Sequence, residues 1–293
     1  MPRERPGTGR GGPVPVGETV HVQLSHHASL GNDFLVAFTD AVPADAADLA
    51  IRLCDRATGI GADGLVFGTP VDEVGGDGDR LRFTLVNSDG SPAEVSGNGL
   101  NCFGQAVARR RGLTNADLTV ETVVGPREVA VVGTPGDTEV RATVDMGAAA
   151  PGPATLGLEL DLGGPTAGRH GTVDLGNPHL VIEVDDVDAI DLGVVGPALE
   201  AFFAPVGCNV HVVAAVDDGT IRMRPWERGA GLTQACGSGA CAAAHLARGW
   251  GLIGDRVEVR MPGGTGVVTF GERLSLATTS VHLGDHEVEA TRG

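Results

Sequence analysis

A segment before the middle of the chain returns, without gaps, near its end. Ser96-Gly97-Asn98-Gly99-Leu100-Asn101-Cys102-Phe103 aligns on Cys236-Gly237-Ser238-Gly239-Ala240-Cys241-Ala242-Ala243 at an offset of 140 residues (236 − 96), close to half of the 293-residue length. A repeat of that period predicts a duplicated chain, so two similar units of roughly 130 residues must each fold and must meet. Both copies have the form of a helix: glycines at the start, small or apolar residues at helical spacing, then Arg109 to Arg111 before Gly112 in one and Arg248 before Gly249 in the other. Arginines suit the negative end of a helix and glycine stops it. The opposite end of each helix leaves N–H groups unpaired and ready for an anion. Ser96 and Cys236 occupy equivalent places there, facing one central site.

Around these helices the pattern is one of short strands. Val20, Val22 and Leu24 alternate with polar residues, and Phe34 to Phe38 reads as a hairpin partner across Gly31-Asn32-Asp33. One helix is predicted from Pro43, with Ala46, Leu49, Ala50 and Leu53 on its apolar face and Gly59 at its end, and another near Val195 to Phe203. Further strands are read at 65–67, 81–85, 118–123, 129–132, 140–144, 173–175, 179–184, 210–213, 221–223, 257–261, 267–270, 274–277 and 281–283. A Gly- and Pro-rich stretch from Gly147 to Pro165 marks a boundary. The fold class that follows is α+β, with two pseudo-symmetric lobes, each a curled, mostly antiparallel sheet wrapped around a central helix.

Composition narrows the chemistry. The formal charge of −17 sets the chain against nucleic acid or an anionic membrane surface. All 21 basic residues are arginine. Without lysine there is neither a Schiff base for pyridoxal phosphate nor a P-loop. The 5 cysteines show no CxxC or paired spacing, which disfavours disulfides and a zinc site and predicts reduced thiols. Met1 to Val16 holds no apolar core for a signal peptide, and no run is long enough to span a bilayer, so a disordered leader (1–18) and a cytoplasmic location are expected.

Gly59-Ile60-Gly61-Ala62-Asp63-Gly64 matches GxGxxG, but it follows a helix and precedes a strand, the reverse of a dinucleotide fold. Its glycines are read as serving a turn. Cys236 is different: a helix N-terminus can bring a thiol from about 8.5 to between roughly 3.5 and 7.5, and its glycines leave N–H groups beside it for a carboxylate. Cys54, Cys102, Cys208 and Cys241 read as packing. Asn32-Asp33, Asn87 to Gly90, Asn177 to His179, Asn209 and Glu227-Arg228 are singly turn signals. Together they supply amides, a guanidinium and a carboxylate able to hold an amino acid.

The segments GNDF (31–34), GADG (61–64), NSDGSPAEVSGNG (87–99), GNPH (176–179), CNV (208–210) and ERGAGLTQACGSGA (227–240) resemble, in order and spacing, the motifs of the diaminopimelate epimerase family. The resemblance covers nearly all of the chain after residue 20. It implies the two-lobed fold with a final strand at about 278–290 returning to the first lobe, hence an N-terminal lobe of 19–147 plus that strand and a C-terminal lobe of 148–277. It further implies cofactor-free, metal-free interconversion of LL- and meso-2,6-diaminopimelate by a homodimer, with a small amino acid as its partner molecule. Cys236 and Ser96 fall at the two catalytic positions, with His179 and Glu227 as the groups assisting proton loss. Asn32, Asn87, Gly97, Asn98, Asn177, Asn209, Glu227, Arg228, Gly237 and Ser238 match substrate-binding positions.

Two positions depart from the family. Asn101 stands where an arginine is usual, and Ser96 where the second cysteine is. Inversion needs a group on each face of a planar carbanion, and a hydroxyl is a weak acid–base partner. Ser96 is compatible with an engineered Cys→Ser, with an epimerase that is slow or uses a water behind Ser96, and with one-base chemistry such as dehydration or double-bond isomerisation. The alternatives are a related racemase, dehydratase or isomerase of another amino or hydroxy acid, since the motifs fix the Cα grip better than the side-chain pocket, and a silent amino-acid-binding relative, which would show the same loss.

Overall fold

The computed structural model describes residues 19–71, 80–93, 96–134 and 136–291. β1 (Thr19–Ser29) turns through Leu30 and Gly31, both at positive φ (51° and 80°), into antiparallel β2 (Asn32–Phe38). Then follow α1 (Ala46–Cys54), β3 (Gly64–Pro70), β4 (Leu81–Asn87), α2 (Gly97–Arg110), β5 (Asn115–Thr122), β6 (Gly125–Val132) and β7 (Glu139–Gly147). The remainder is β8 (Ala150–Pro151), β9 (His170–Asp174), β10 (Pro178–Glu183), α3 (Leu192–Phe202), β11 (Asn209–Asp217), β12 (Thr220–Glu227), β13 (Gly231–Leu232), α4 (Gly237–Gly249), β14 (Arg256–Met261), β15 (Gly264–Thr269) and β16 (Leu274–Thr291).

The sequence repeat reappears as a repeat of strand pairing. From β2 to β7 the successive pairs are parallel, antiparallel, parallel, antiparallel and antiparallel. The path β10-β11-β12-β14-β15-β16 gives the same series. Each parallel pair is bridged by a helix, as a parallel connection requires: α1 and α2 in the first half, α3 and α4 in the second. The two series join where β7 pairs with β16, so the hydrogen bonds run through one continuous 16-stranded sheet.

The central helices are polar opposites in composition and alike in burial. Leu100, Phe103 and Val107 of α2 are at most 1% exposed, and so are Ala240, Ala243, Ala244 and Ala247 of α4. Each fully buried Leu or Phe contributes roughly 1.5–3 kcal/mol. Alanines contribute less area and let β-strands approach more closely. α2 lies against β1, β2, β5, β6, β7 and β16, and α4 against β9, β10, β11, β12, β14, β15 and β16. Residues of both helices belong to one core cluster, while α1 and α3 cover separate clusters.

Two expectations need amendment. The strands read at 274–277 and 281–283 are one 18-residue strand, β16. Thr278 and Ser280 between them are 3% and 0% exposed, because the Thr278 hydroxyl is hydrogen-bonded to Ser29 and that of Ser280 donates to Gln105. Strand β16 returns to pair with β1 and also with β7 and β15. The first helix runs Ala46–Cys54 rather than from Pro43 to Gly59: the Pro43 carbonyl closes a turn with the Ala46 N–H, and Gly59 lies in the turn beyond the helix, its N–H donating to the Asp55 carbonyl. The leader expected at 1–18 lies outside the described residues. Among the described residues no helix is long and apolar enough to cross a membrane.

Candidate active site

The site is built from the first turns of α2 and α4. Ser96 caps α2 at φ −121°, ψ 118°, its Oγ accepting the Gly99 N–H at 3.0 Å; Cys236 caps α4 at φ −133°, ψ 111°, its Sγ accepting the Gly239 N–H at 3.3 Å. The helices meet tip to tip. A Cβ added to Gly237 would lie 3.6 Å from the Gly97 Cα and 3.5 Å from Asn98 Oδ1. Two positive helix ends therefore converge on one point, a place for a carboxylate. A cavity of about 20 Å³ opens there, lined among others by Gly97, Arg127, Asp145, Met146, Asn177 and Ser238.

Titratable groups gather at the Cys236 end. Glu227, on β12, lies within hydrogen-bonding reach of the thiol, and its Oε1 accepts the Thr233 hydroxyl at 2.5 Å. Burial raises the Glu227 carboxyl above the usual range. Burial, then the Glu227 charge, pushes the Cys236 thiol well above its ordinary value. This reverses the lowering expected from the helix N-terminus: Cys236 is 4% exposed, and the desolvation of a thiolate outweighs the helix end. The thiol also contacts Ser238 Oγ at 3.7 Å.

His179, on β10, is wholly buried and held neutral, first by burial and then by its neighbours His211 and Arg228. Its Nδ1 is 2.9 Å from His211 Nε2, and its Nε2 donates to Asn177 Oδ1 at 2.9 Å. The nearest nitrogens of His179 and His211 and the Cys236 sulfur lie within 4.8 Å of one another, a proximity that sequence spacing does not show. His211 sits within the apolar strand Val210 to Val213, where a period-2 reading finds only core.

At the other helix, Asn98 Nδ2 donates to Asn32 Oδ1 at 2.7 Å, Asn32 Nδ2 donates to Asp63 Oδ2 at 3.0 Å, and Arg56 clasps both Asp33 and Asp63. The GNDF and GADG segments thus brace the first turn of α2 from behind. Asn101 is further down that helix, donating to Thr278 at 2.7 Å against β16.

Asn87, Asn209 and Arg228, also expected to bind, make hydrogen bonds within the protein. Asn87 donates to Ser91 at 3.0 Å within its own turn. The amide of Asn209 is shared between the Pro178 carbonyl and the Arg228 N–H, and the Arg228 guanidinium donates to the Val206 carbonyl at 2.8 Å. The structure thus brings together Ser96, Gly97, Asn98, Asn32, Asn177, His179, Glu227, Cys236, Gly237 and Ser238. It adds His211, Arg127, Asp145 and Met146, which lie at remote sequence positions and match none of the quoted motifs.

Solved structures share this arrangement of chain. A hydroxyproline epimerase from Agrobacterium vitis superposes with a TM-score of 0.62 at 16% identity, covering 93% of each chain. A phenazine biosynthesis protein of the PhzF family from Enterococcus faecalis superposes at 0.64 with 13% identity, covering 92% of this chain and 99% of that one. The fold is accordingly that of the epimerases and PhzF-like proteins. Sequence narrows it: the family model for diaminopimelate epimerase matches residues 26–150 and 171–284. The diaminopimelate epimerase of Moorella thermoacetica is 38% identical over 251 residues (80% of this chain, 86% of that one), and that of Desulforudis audaxviator 41% identical over 252 residues with the same coverage. The chain belongs to the diaminopimelate epimerase family.

Proposed function

We propose that this chain is an isomerase interconverting LL- and meso-2,6-diaminopimelate without a cofactor, and that its active site lies between the starts of α2 and α4. The observation that carries the site is the tip-to-tip approach of two matched helix ends, one capped by Cys236 and the other by Ser96. A substrate carboxylate on the first-turn N–H groups of both helices places Cα between Sγ and Oγ. The thiol passes its proton to the Glu227 carboxylate, leaving a thiolate beside a neutral acid. The thiolate takes the Cα proton, and the negative charge spreads into the bound carboxylate. Ser96, relaying from water, returns a proton to the opposite face, and the proton held by Glu227 passes out to the hydroxide left behind, which restores the carboxylate. His179 and Asn177 stand on the Cys236 side of the cavity, and the polar chain from Asn98 through Asn32 braces the other.

The same reading divides the chain into two lobes, 19–147 with the distal part of β16 and 148–277, each sheet curled around α2 or α4. The repeated pairing series supports this division. A homodimer in the cytoplasm, free of nucleic acid and membrane, completes the proposal, and the charge of −17 supports the last two points. The decisive experiment is incubation with diaminopimelate stereoisomers in D₂O, followed by NMR at Cα. Exchange with inversion is expected. Exchange with retention would mean that Cys236 works alone, and binding without exchange would leave a silent relative.

A further inference from the structure

We propose that His211 is a positioning residue which, through His179, holds the amide of Asn177 with its Nδ2–H₂ facing the cavity at the helix tips, as a fixed donor to a carboxylate of the substrate. The inference deepens the epimerase reading and rests on it for the identity of that substrate. Two buried histidines and the half-buried Asn177 form the chain. His211 Nε2 and His179 Nδ1 are 2.9 Å apart, His179 Nε2 and Asn177 Oδ1 are 2.9 Å apart, and Asn177 Nδ2 points to Ser238 Oγ at 3.5 Å on the cavity wall.

The direction of the hydrogen bonds follows from what lies at each end. An amide oxygen can only accept, so His179 carries its proton on Nε2 and presents a lone pair at Nδ1. His211 must then donate from Nε2. That leaves His211 Nδ1 as a bare lone pair, and this atom is the one of the pair that is buried without a partner. The reverse direction would strand an N–H there instead, the rarer and costlier defect in a protein interior. One polarity therefore runs from His211 through His179 to Asn177.

Two further observations fix the chain in place. Both rings are 0% exposed, with centroids 5.1 Å apart. The His211 ring fills the notch left by Gly239: a Cβ there would stand 2.5 Å from its Cε1 and 2.6 Å from its Nε2. The same helix turn that carries Cys236 thus clamps the donor end of the chain. Protonating His179 at Nδ1 would set N–H against N–H, so His211 keeps His179 neutral and its donor aimed at Asn177. His179 acts here through Asn177 and its Nδ1 lone pair is already taken.

The test uses the full chain labelled with ¹⁵N-histidine, assigned with His179→Gln and His211→Asn. Long-range ¹H–¹⁵N correlation is expected to show His179 protonated at Nε2 and bare at Nδ1. His211→Leu removes the donor; the His179 Nδ1 signal then moves, and KM for diaminopimelate rises about tenfold while kcat stays within about threefold. His211→Asn, whose amide can donate in the same direction, restores both. A wild-type His179 protonated at Nδ1, or equal KM values in the Leu and Asn variants, overturns the proposal. The tautomer is read without turnover, so it stands or falls even if His211→Leu does not fold. Should the chain fail to invert diaminopimelate yet show the expected tautomer, the epimerase reading fails and the histidine chain survives.

Discussion

Ser96 and Cys236 hold the same position in two copies of one structure and differ in almost everything that governs chemistry. Their backbones nearly coincide (φ −121°, ψ 118° against φ −133°, ψ 111°), and each side chain caps its helix by accepting the N–H three residues on. A hydroxyl is the better cap, since serine is among the favoured N-cap residues and sulfur is a weak acceptor. A thiol is the better acid and base. Cys236 also has Glu227 beside it, with His179 and His211 in reach, while Ser96 is only half-buried. The two helix starts share what the backbone fixes, an N-terminus aimed at the partner helix, and differ in the reacting atom and its electrostatic setting.

The comparison breaks most sharply at Cys236. Cys236→Ser would place a hydroxyl at both ends, and inversion and Cα exchange are expected to fall by about 10⁴-fold, the upper end of what a positioned base supplies. The thermal midpoint should not fall, because the new residue caps at least as well. Exchange in D₂O and a melting curve on the same sample check both halves. Activity that survives would move the chemistry away from Cys236.

Ser96→Cys is the converse. A thiol on the second face should raise the inversion rate by roughly 10² to 10⁴ if proton delivery there limits turnover, with loss of a better cap costing about 1 kcal/mol. Steady-state rates and denaturant midpoints of the two proteins give the answer. A variant that folds and binds diaminopimelate without gaining inversion or exchange would remove the epimerase reading.

Much of this contrast could be read before any coordinates. The repeat at 140 residues shows two equivalent helix starts, and period-2 and helical spacing place most strands and both central helices. What stayed hidden depends on partners distant in sequence. Thr278 and Ser280 look like a break in a strand, because a buried threonine is legible only when Ser29 and Asn101 are known to face it. His211 looks like a polar interruption in an apolar strand until its bond to His179 is seen. Arg228 and Asn209 are singly turn signals in the sequence, which does not show their backbone partners, the carbonyls of Val206 and Pro178. The Cys236 thiol departs from expectation for a related reason: the helix end is visible in the sequence, and the depth of burial is not.

The glycines three residues into each copy sharpen the comparison on the side of packing. A Cβ at Gly239 would meet the His211 ring at 2.5 Å and Cys236 Sγ at 3.0 Å, whereas one at Gly99 would meet the Phe83 Cζ and the Ser96 Cβ at 3.2 Å each. A buried histidine clamped by strand and helix has little room to retreat. Gly239→Ala is expected to destabilise by about 2–3 kcal/mol, and Gly99→Ala by about 1 kcal/mol or less. Urea unfolding of the two variants decides this; equal losses would show that the two helix ends are packed alike.

The smallest expected effect concerns the buried histidine on the α2 side. His27 of β1 is 0% exposed and hydrogen-bonded through Nδ1 to Gln105 Oε1 at 2.8 Å, and burial pulls it from 6.5 down to about 4. Its counterpart near α4, His211, is lowered by burial to about 3. For a base held neutral in the fold the sign is fixed: below about pH 6.5 the unfolded chain binds a proton that the folded chain refuses until about pH 4. Stability contributed by keeping His27 neutral is therefore present above pH 6.5, declines as the pH falls through that window, and levels off below it. At about 1.36 kcal/mol per unit the loss from His27 alone is about 1 kcal/mol at pH 5.5. His27→Gln removes this titration and should flatten the dependence of the urea midpoint on pH between 6.5 and 4, while leaving the rate at pH 8 unchanged, since His27 stands behind α2 and away from its tip. An unaltered slope in His27→Gln would assign the acid sensitivity to the α4 side, where His211 and His179 are the remaining buried histidines against a central helix.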